Sequence, residues 1–301
     1  MTKSDAPALS LTAIDCHVHL NDSIVAAGNV RSAQMARYFG RERPVVEGNE
    51  MAEMYRSRGM RAVLVNTTDT ILSGRSSVPN DHLAQVVAKE PDVFRGFGVV
   101  DPWQGKGALL EARRCKEELG LVGIGELNPA RQHFFPNDPR FYPLWQVVSD
   151  LGLIVMFHSG YAASGSGTPG GGGVKLRYGN PMYVDDLAAD FPDLKIICAH
   201  PGWPWESEAL AVTLHKANIY LDLSGWAPKY FSAELLKYVN SRISDKVLFG
   251  SDWPALDVDR WLAEFQQLDL KPEVRHKVLL DNAQKLLRWD STEGDAGDGL
   301  A

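Results

Sequence analysis

The feature that most constrains the fold is a regular alternation of short apolar runs with helix-like stretches. The runs are rich in aliphatic residues and nearly continuous, which indicates parallel strands buried on both faces. The helix-like stretches end near glycine or proline, as at Gly59 and Pro91. Eight such units predict an α/β protein with a (β/α)8 TIM barrel rather than an open sheet. The predicted strands are 11–16, 62–66, 95–100, 123–127, 153–157, 195–199, 219–223 and 247–249.

The predicted barrel is a single domain over residues 1–289, distorted by an insertion at 21–44 where the alternation is interrupted. A length of 301 residues suits one domain of this kind. The alternative is a doubly wound sheet in two domains, but no stretch rich in proline, glycine or charge marks a boundary. Residues 290–301 are acidic and contain glycine, and we predict that they form a disordered tail.

The composition limits the partners and the compartment. The net charge of -7 argues against a nucleic-acid binder, because that role needs a cationic surface. The three cysteines show no paired spacing, which suits a reducing compartment. No apolar run reaches the ~20 residues of a membrane helix, and the first residues lack the apolar segment of a secretory signal. We therefore expect a soluble, cytoplasmic protein without a membrane partner.

Titratable residues stand where the predicted strands end. His17 and His19 are separated by one residue, so in a strand they point to the same side and form a chelating pair for a metal such as zinc. His158, His200 and Asp252 end three later runs in the same way. Catalytic groups of a parallel barrel collect at the C-terminal ends of its strands. A single histidine at a strand end is more often structural, but the repeated placement predicts one shared site.

Four motifs give the chain a resemblance to a known superfamily. They are His17-Val18-His19, Phe157-His158-Ser159-Gly160, Ala199-His200-Pro201-Gly202 and Leu248-Phe249-Gly250-Ser251-Asp252-Trp253-Pro254. Together they resemble the amidohydrolase superfamily. Within it, they are similar to the branch that includes γ-resorcylate decarboxylase and aminocarboxymuconate-semialdehyde decarboxylase.

This resemblance implies a centre with one divalent metal, for which zinc is the expected ion and manganese the alternative. Binuclear members of the superfamily carry a carboxylated lysine at the end of the fourth strand, where this chain has Glu126. Glu126 is either a ligand, a partner that orients an imidazole, or a structural carboxylate. The resemblance makes His200 a proton-transfer residue, and Asp252 both a ligand and a proton acceptor. The implied ligands are His17, His19, His158 and Asp252.

Candidate substrate-binding residues follow the fourth, fifth and sixth strands. The glycine-rich loop 165–173 lacks the context of a phosphate-binding loop, and is either a flexible connection or a mobile lid. The aromatic candidates either pack in the core or stack on an aromatic ring, and the cationic ones either contact an anion or lie in solvent. These candidates are Arg131, His133, Lys175, Arg177, Tyr178, Trp203 and Trp205.

Two activities suit this site, each with a small-molecule substrate. The first is a metal-dependent hydrolase that uses metal-activated water to cleave a carbonyl-activated bond, such as the C–C bond of an aryl β-ketoacyl-CoA. A looser resemblance of 178–183 and 200–205 to β-ketoacyl-CoA hydrolases favours it. So does the intact first histidine, because many aromatic decarboxylases have glutamate there. The alternative is a non-oxidative, metal-dependent decarboxylase of an aromatic or muconate-type acid. A metal-independent lactonase and a non-enzymatic metal-binding protein are weaker hypotheses, and we expect a homo-oligomer.

Overall fold

A computed structural model describes residues 10–28, 32–68, 70–74 and 78–289, and in it eight strands form one parallel sheet in chain order. The last strand returns to the first: the Cys16 N–H donates to the Phe249 carbonyl at 2.8 Å, and the His19 N–H to the Trp253 carbonyl at 2.8 Å. The predicted (β/α)8 barrel is therefore confirmed. The strands are β1 (Ala13–His19), β2 (Met60–Val65), β3 (Phe94–Gly98), β4 (Gly123–Leu127), β5 (Ile154–His158), β6 (Ile196–Ala199), β7 (Ile219–Asp222) and β8 (Val247–Leu248).

Helices surround the sheet and place their apolar faces against it. In the part of the chain that the structure describes, the α-helices are α1 (Ser23–Gly28), α2 (Ser32–Phe39), α3 (Gly48–Arg56), α4 (Thr70–Ser73), α5 (Asn80–Lys89), α6 (Lys106–Glu117), α7 (Pro129–Gln132), α8 (Tyr142–Asp150), α9 (Met182–Asp190), α10 (Glu206–His215), α11 (Ala233–Val239), α12 (Val258–Gln266), α13 (Pro272–His276) and α14 (Asn282–Leu287). The predicted insertion at 21–44 contains α1 and α2, and neither helix is followed by a strand of its own.

The observed first strand is longer at its C-terminal end than the predicted one. The sequence predicts an end at Cys16, but β1 continues to His19 because it pairs with β2 as far as Val65. After α13 the chain continues as a π-helical turn, Lys277–Asp281. In that turn the Val278 carbonyl accepts a hydrogen bond from the Phe249 N–H at 3.0 Å, which ties the turn to the end of β8.

The core has two layers. One lies between the strands and the helices, and the other fills the barrel interior with residues such as Ile14, Phe97 and Met156. Residues Leu287 and Trp289 join this second layer from below the barrel. The N-terminal end of the barrel is thus filled by apolar side chains, as expected of a packed barrel rather than a pore.

None of the described helices has the length and apolar character that a bilayer-spanning helix needs. The predicted tail at 290–301 lies outside the described residues, so its disorder stays a prediction.

Candidate metal centre and catalytic site

The C-terminal ends of the strands bring the predicted titratable residues to one place. They border a cavity of about 620 Å³ that opens at this end of the barrel. His17 is completely buried beneath the cavity, and the other members of the set line it. The set consists of His17 and His19 on β1, Glu126 on β4, His158 on β5, His200 after β6 and Asp252 beyond β8.

Four ligand atoms converge at the centre of this set. The two Nε2 atoms of His17 and His19 are 3.2 Å apart, and His19 Nε2 is 3.1 Å from Asp252 Oδ1. Glu126 Oε2 lies 3.8 Å from His17 Nε2 and 3.7 Å from His19 Nε2. A tetrahedral ion with ligands at about 2.1 Å places neighbouring ligand atoms about 3 to 3.5 Å apart, close to these spacings.

His158 and His200 lie on the other side of Glu126. His158 Nδ1 is 2.6 Å from Glu126 Oε1, and His158 Nε2 is 3.2 Å from the Tyr161 carbonyl. His200 Nε2 is 3.0 Å from His158 Nδ1 and 3.4 Å from Glu126 Oε1. Glu126 therefore contacts the ligand cluster with one oxygen and these two imidazoles with the other.

Irregular pairing aims the side chains of two strands into the site. The register of β1 against β2 shifts between Asp15 and Val18, so Cys16 and His17 both face the barrel interior although they are neighbours. The register of β4 against β5 shifts between Ile124 and Leu127, around Glu126. Bulges of this kind redirect a side chain and are frequent next to active sites.

Two candidate catalytic residues adopt a left-handed backbone. His200 has φ of 74° and Asp252 has φ of 60°. L-residues rarely adopt this conformation, which costs about 1 to 2 kcal/mol. The Asp252 N–H donates to the His17 carbonyl at 3.0 Å, which helps to hold the turn in place. Strained positions of this type are concentrated at functional sites.

A buried network supports the histidines from below. Asp222 Oδ2 is 2.9 Å from His17 Nδ1, and Ser224 Oγ is 3.1 Å from the same atom and 2.9 Å from His200 Nδ1. His200 Nδ1 is also 3.0 Å from the Ser224 carbonyl, so this nitrogen carries a hydrogen and Nε2 is directed to the site. The sequence analysis missed Asp222 and Ser224. Asp222 ends an apolar run just as the other site residues do, and that signal could have found it.

The charges in the cluster favour a cation. Burial alone would lower the pKa of His17, but the hydrogen bond to Asp222 and the charges of Glu126 and Asp252 raise it to about 10. Burial raises the pKa of Glu126, yet the neighbouring His158 and His17 hold it well below its usual range. A divalent metal would displace protons from such a group, since metal ligands bind in their deprotonated forms.

The donor set fits one divalent metal. Imidazole nitrogens and carboxylate oxygens in a tight, buried group are the ligands of zinc and of similar divalent ions. Two groups of three have ligand atoms all within 4.8 Å of one another: His17, His19 and Asp252, and His17, Glu126 and His200. Because His17 belongs to both, the groups form one site.

Comparison with known proteins agrees with this reading. A family model described as Amidohydrolase (Amidohydro_2) matches residues 14–289, most of the chain. The chain belongs to the amidohydrolase family. The resemblance drawn from the four sequence motifs is thereby confirmed, and the protein is an enzyme of that superfamily.

The proteins related to this amidohydrolase, and the solved structures similar to it, include decarboxylases. The γ-resorcylate decarboxylase of Polaromonas sp. (strain JS666) is 25% identical over 246 residues, covering 69% of this chain and 74% of the relative. An uncharacterized TIM-barrel protein from Bordetella bronchiseptica is 26% identical, covers 92% of this chain and 98% of its own, and has a TM-score of 0.74. A dihydroxybenzoic acid decarboxylase from Polaromonas sp. JS666 with bound manganese is 21% identical, covers 92% and 96%, and has a TM-score of 0.61.

Arginines of this amidohydrolase face the cavity beside the cluster. Arg43, from the insertion, lines the cavity, and its Nε is buried with no hydrogen-bond partner among the described residues. Burial lowers the pKa of Arg43 and the charge of Arg41 acts in the same direction, while the charges of Asp252 and Glu126 act to raise it. Arg43 is not among the residues predicted from the sequence, because the insertion has no periodic pattern. Arg131, which it did propose, also lines the cavity.

The remaining predicted substrate residues lie outside the lining of this cavity. His133 stacks on Tyr178 with ring centroids 6.0 Å apart, and its Nε2 is 2.8 Å from the Gly173 carbonyl. Trp203 is 53% exposed at the cavity edge. The loop 165–173 contains a turn, Pro169–Gly173, in which Gly170, Gly171 and Gly172 have left-handed φ of 60°, 62° and 59°, and its role as a lid stays a prediction. The other predicted residues outside the lining are Lys175, Arg177 and Trp205.

Proposed function

We propose that this amidohydrolase is a metal-dependent carboxy-lyase that removes carbon dioxide from an aromatic carboxylic acid. The observation that carries the proposal is Arg43, a half-buried arginine that lines the cavity beside the candidate metal ligands and whose buried Nε has no hydrogen-bond partner among the described residues. An arginine in this position matches a planar carboxylate and would hold it next to the cation. The γ-resorcylate decarboxylases among the relatives support this choice.

The comparisons favour the decarboxylase over the hydrolase that the sequence analysis placed first. That first hypothesis depended on an intact His17-Val18-His19 and on a looser motif resemblance. The relatives that match about 70% of the chain are γ-resorcylate decarboxylases. Hydrolysis remains the competing activity, and product analysis distinguishes the two.

The metal would be held by the four converging side chains, with His158 as a further candidate through its contact with Glu126. When bound, a divalent ion would supply Lewis acidity and a fixed positive charge for substrate oxygens. We propose zinc or manganese, and manganese is the ion bound in one of the similar structures. The four side chains are His17, His19, Glu126 and Asp252.

His200 is placed to act as the proton donor. Its Nδ1 is fixed by Ser224, so Nε2 is directed toward Glu126 and the cavity. In the proposed reaction His200 is protonated on both ring nitrogens, a form that Glu126 favours by raising its pKa despite burial, and the Nε2 proton adds to the ring carbon that carries the carboxylate. The bond to the carboxylate carbon then breaks, its electron pair stays with the ring, and carbon dioxide leaves. Asp252 would stay ionised as a ligand, since the nearby histidines lower its pKa despite burial.

The test is product analysis with the metal-loaded protein. We expect 2,6-dihydroxybenzoate or a related hydroxybenzoate to yield carbon dioxide and the corresponding phenol in equal amounts. Arg43→Met should lower kcat/KM by about tenfold or more, because a charge-assisted hydrogen bond to the carboxylate is lost. Arg37→Met, on the exposed side of α2, is the matched control and should keep the wild-type rate.

The opposite result is equally clear. If a panel of hydroxybenzoates gave no carbon dioxide, while an aryl β-ketoacyl thioester gave a carboxylate carrying ¹⁸O from labelled water, the enzyme would be a hydrolase. Homo-oligomerisation stays a prediction that light scattering can test.

A further inference from the structure

The cavity is larger than a single-ring acid requires. Its volume is about 620 Å³. A dihydroxybenzoate has about eleven non-hydrogen atoms, and even at roughly 30 Å³ each, the share of a whole water molecule, it would fill little more than half of this space. The lining of the cavity includes aromatic residues besides the candidate metal ligands.

Aromatic rings from α2 and from the segments after β5 and β7 line the cavity. We call the group Tyr38, Tyr161, Trp226 and Tyr230 the aromatic vestibule, and all four line the cavity. The ring centroids of Tyr38 and Tyr161 are 6.4 Å apart. Trp203 extends the row at the edge, with its ring 5.6 Å from Tyr161 and 6.1 Å from Trp226.

Two of these rings are exposed although they are large, and those of Tyr161 and Trp226 are half-buried. Tyr38 is 46% exposed and Tyr230 is 65% exposed. A contiguous exposed aromatic patch on a soluble domain usually marks a binding surface. Here the patch is continuous with the cavity that holds the candidate metal ligands, so its occupant can be the far end of the molecule that reacts there.

Hydrogen bonds hold one wall of the vestibule in position. Gln34 on α2 donates from Nε2 to the carbonyls of Ala163 and Ser166, and its Oε1 accepts from the Gly165 N–H. The Tyr161 hydroxyl contacts Ser166 Oγ. Helix α2, which carries Tyr38, is therefore fastened to the segment that follows β5.

We propose that the substrate is an aromatic acid with a second aromatic ring, which stacks in the vestibule while the carboxylate lies at the metal centre. The inference rests on the proposed function, because that function fixes which end of the substrate lies beside Arg43. Offset or edge-to-face stacking on tyrosine and tryptophan contributes about 0.5 to 1.5 kcal/mol beyond the area buried. The vestibule thus selects for the length and the aromatic character of the substrate.

The test compares dissociation constants by calorimetry for 2-hydroxybenzoate and its 4-phenyl and 5-phenyl derivatives on the metal-loaded protein. We expect at least one phenyl derivative to bind about tenfold more tightly than the parent acid. Trp226→Ala and Tyr38→Ala should each reduce that preference to about threefold or less. Trp103→Ala removes an exposed tryptophan that does not line the cavity, and should leave the preference intact.

Equal binding of all three acids by the wild-type protein, or no binding of the phenyl derivatives, would show that the proposal is wrong. Trp226→Ala could instead change the oligomeric state and leave unchanged the ratio of dissociation constants between the parent acid and its phenyl derivatives. That result would show that the vestibule is a subunit contact and not a substrate site. Carbon dioxide release is measured separately. Its absence, combined with the expected binding preference, would overturn the decarboxylase proposal and leave the vestibule proposal supported.

Discussion

The two ring nitrogens of His17 have different neighbours. Nε2 faces His19 and the ligand cluster at 3.2 Å, while Nδ1 is 2.9 Å from Asp222. A carboxylate on one imidazole nitrogen fixes the tautomer and makes the other nitrogen a better ligand. His200 has no such contact with Asp222, and its Nδ1 is satisfied by Ser224 instead. These different contacts support the proposed roles of the two histidines, metal binding for His17 and proton transfer for His200.

This division predicts different losses from two alanine variants. His17→Ala should lower the metal affinity by about a hundredfold or more, because it removes a ligand from the centre of the cluster. His200→Ala should keep the metal and lower kcat by about 10² to 10⁴, the usual contribution of a positioned proton donor. Elemental analysis and steady-state kinetics measure both effects. His276→Ala is the control, because His276 is exposed and does not line the cavity. A His200→Ala variant with the wild-type rate would contradict the assigned role.

Some site residues could be predicted from the sequence and others could not. His17, His19 and Asp252 end apolar runs, and the barrel topology then forces them together. Arg43 could not be predicted in this way, because it lies in an insertion without periodicity and reaches the site through the tertiary fold. His133 followed a strand and still lies outside the cavity lining, since its side chain stacks on Tyr178.

At the scale of the elements, the site depends on breaks in regular structure. A uniform alternation along β1 would place Cys16 and His17 on opposite faces, and only the register shift brings both inside. No pattern in the sequence predicts this register shift. The left-handed turn after β6 is likewise part of the site, because it carries His200 at φ of 74°. Gly225, which follows β7, lies against the ring of that histidine.

The close approach of Gly225 predicts a selective loss of activity. A Cβ at this position would lie 2.5 Å from His200 Nδ1, and the residue has φ of 74°. We expect Gly225→Ala to displace His200 and to lower kcat by about 10² or more. Gly120→Ala is a matched control, because Gly120 has φ of 65° and open space where the Cβ would be.

Both variants should lose about 1 to 2 kcal/mol of unfolding free energy from the positive φ alone, and only Gly225→Ala should lose activity. Kinetics and urea denaturation measure the two effects side by side. Equal kcat values for the two variants would show that the position of His200 tolerates the shift.

At the scale of the whole molecule, the barrel has one open end and one filled end. The open end carries the cavity and the titratable residues, and the filled end is packed by residues from the C-terminal segment. Eight alternating units were enough to predict the barrel and the end at which the candidate catalytic residues meet. They could not predict how the other end is closed, because Trp289 follows the last helix and its contacts are made only after the barrel forms.

A substitution of Trp289, at the filled end, can test whether the filled end affects the catalytic end of the barrel. It is 5% exposed, and the guanidinium groups of Arg61 and Arg95 lie over its ring at 5.0 and 4.9 Å. Trp289→Ala should lower the unfolding free energy by about 3 to 5 kcal/mol, the usual cost of truncating a buried tryptophan. Leu110→Ala, at a site that is 69% exposed, should change it by less than about 0.5 kcal/mol. Because Trp289 touches none of the metal ligands, kcat and metal content per folded molecule should remain at the wild-type values well below the melting temperature. A Trp289→Ala protein that is fully folded by circular dichroism yet loses metal would show that the filled end and the catalytic end are coupled.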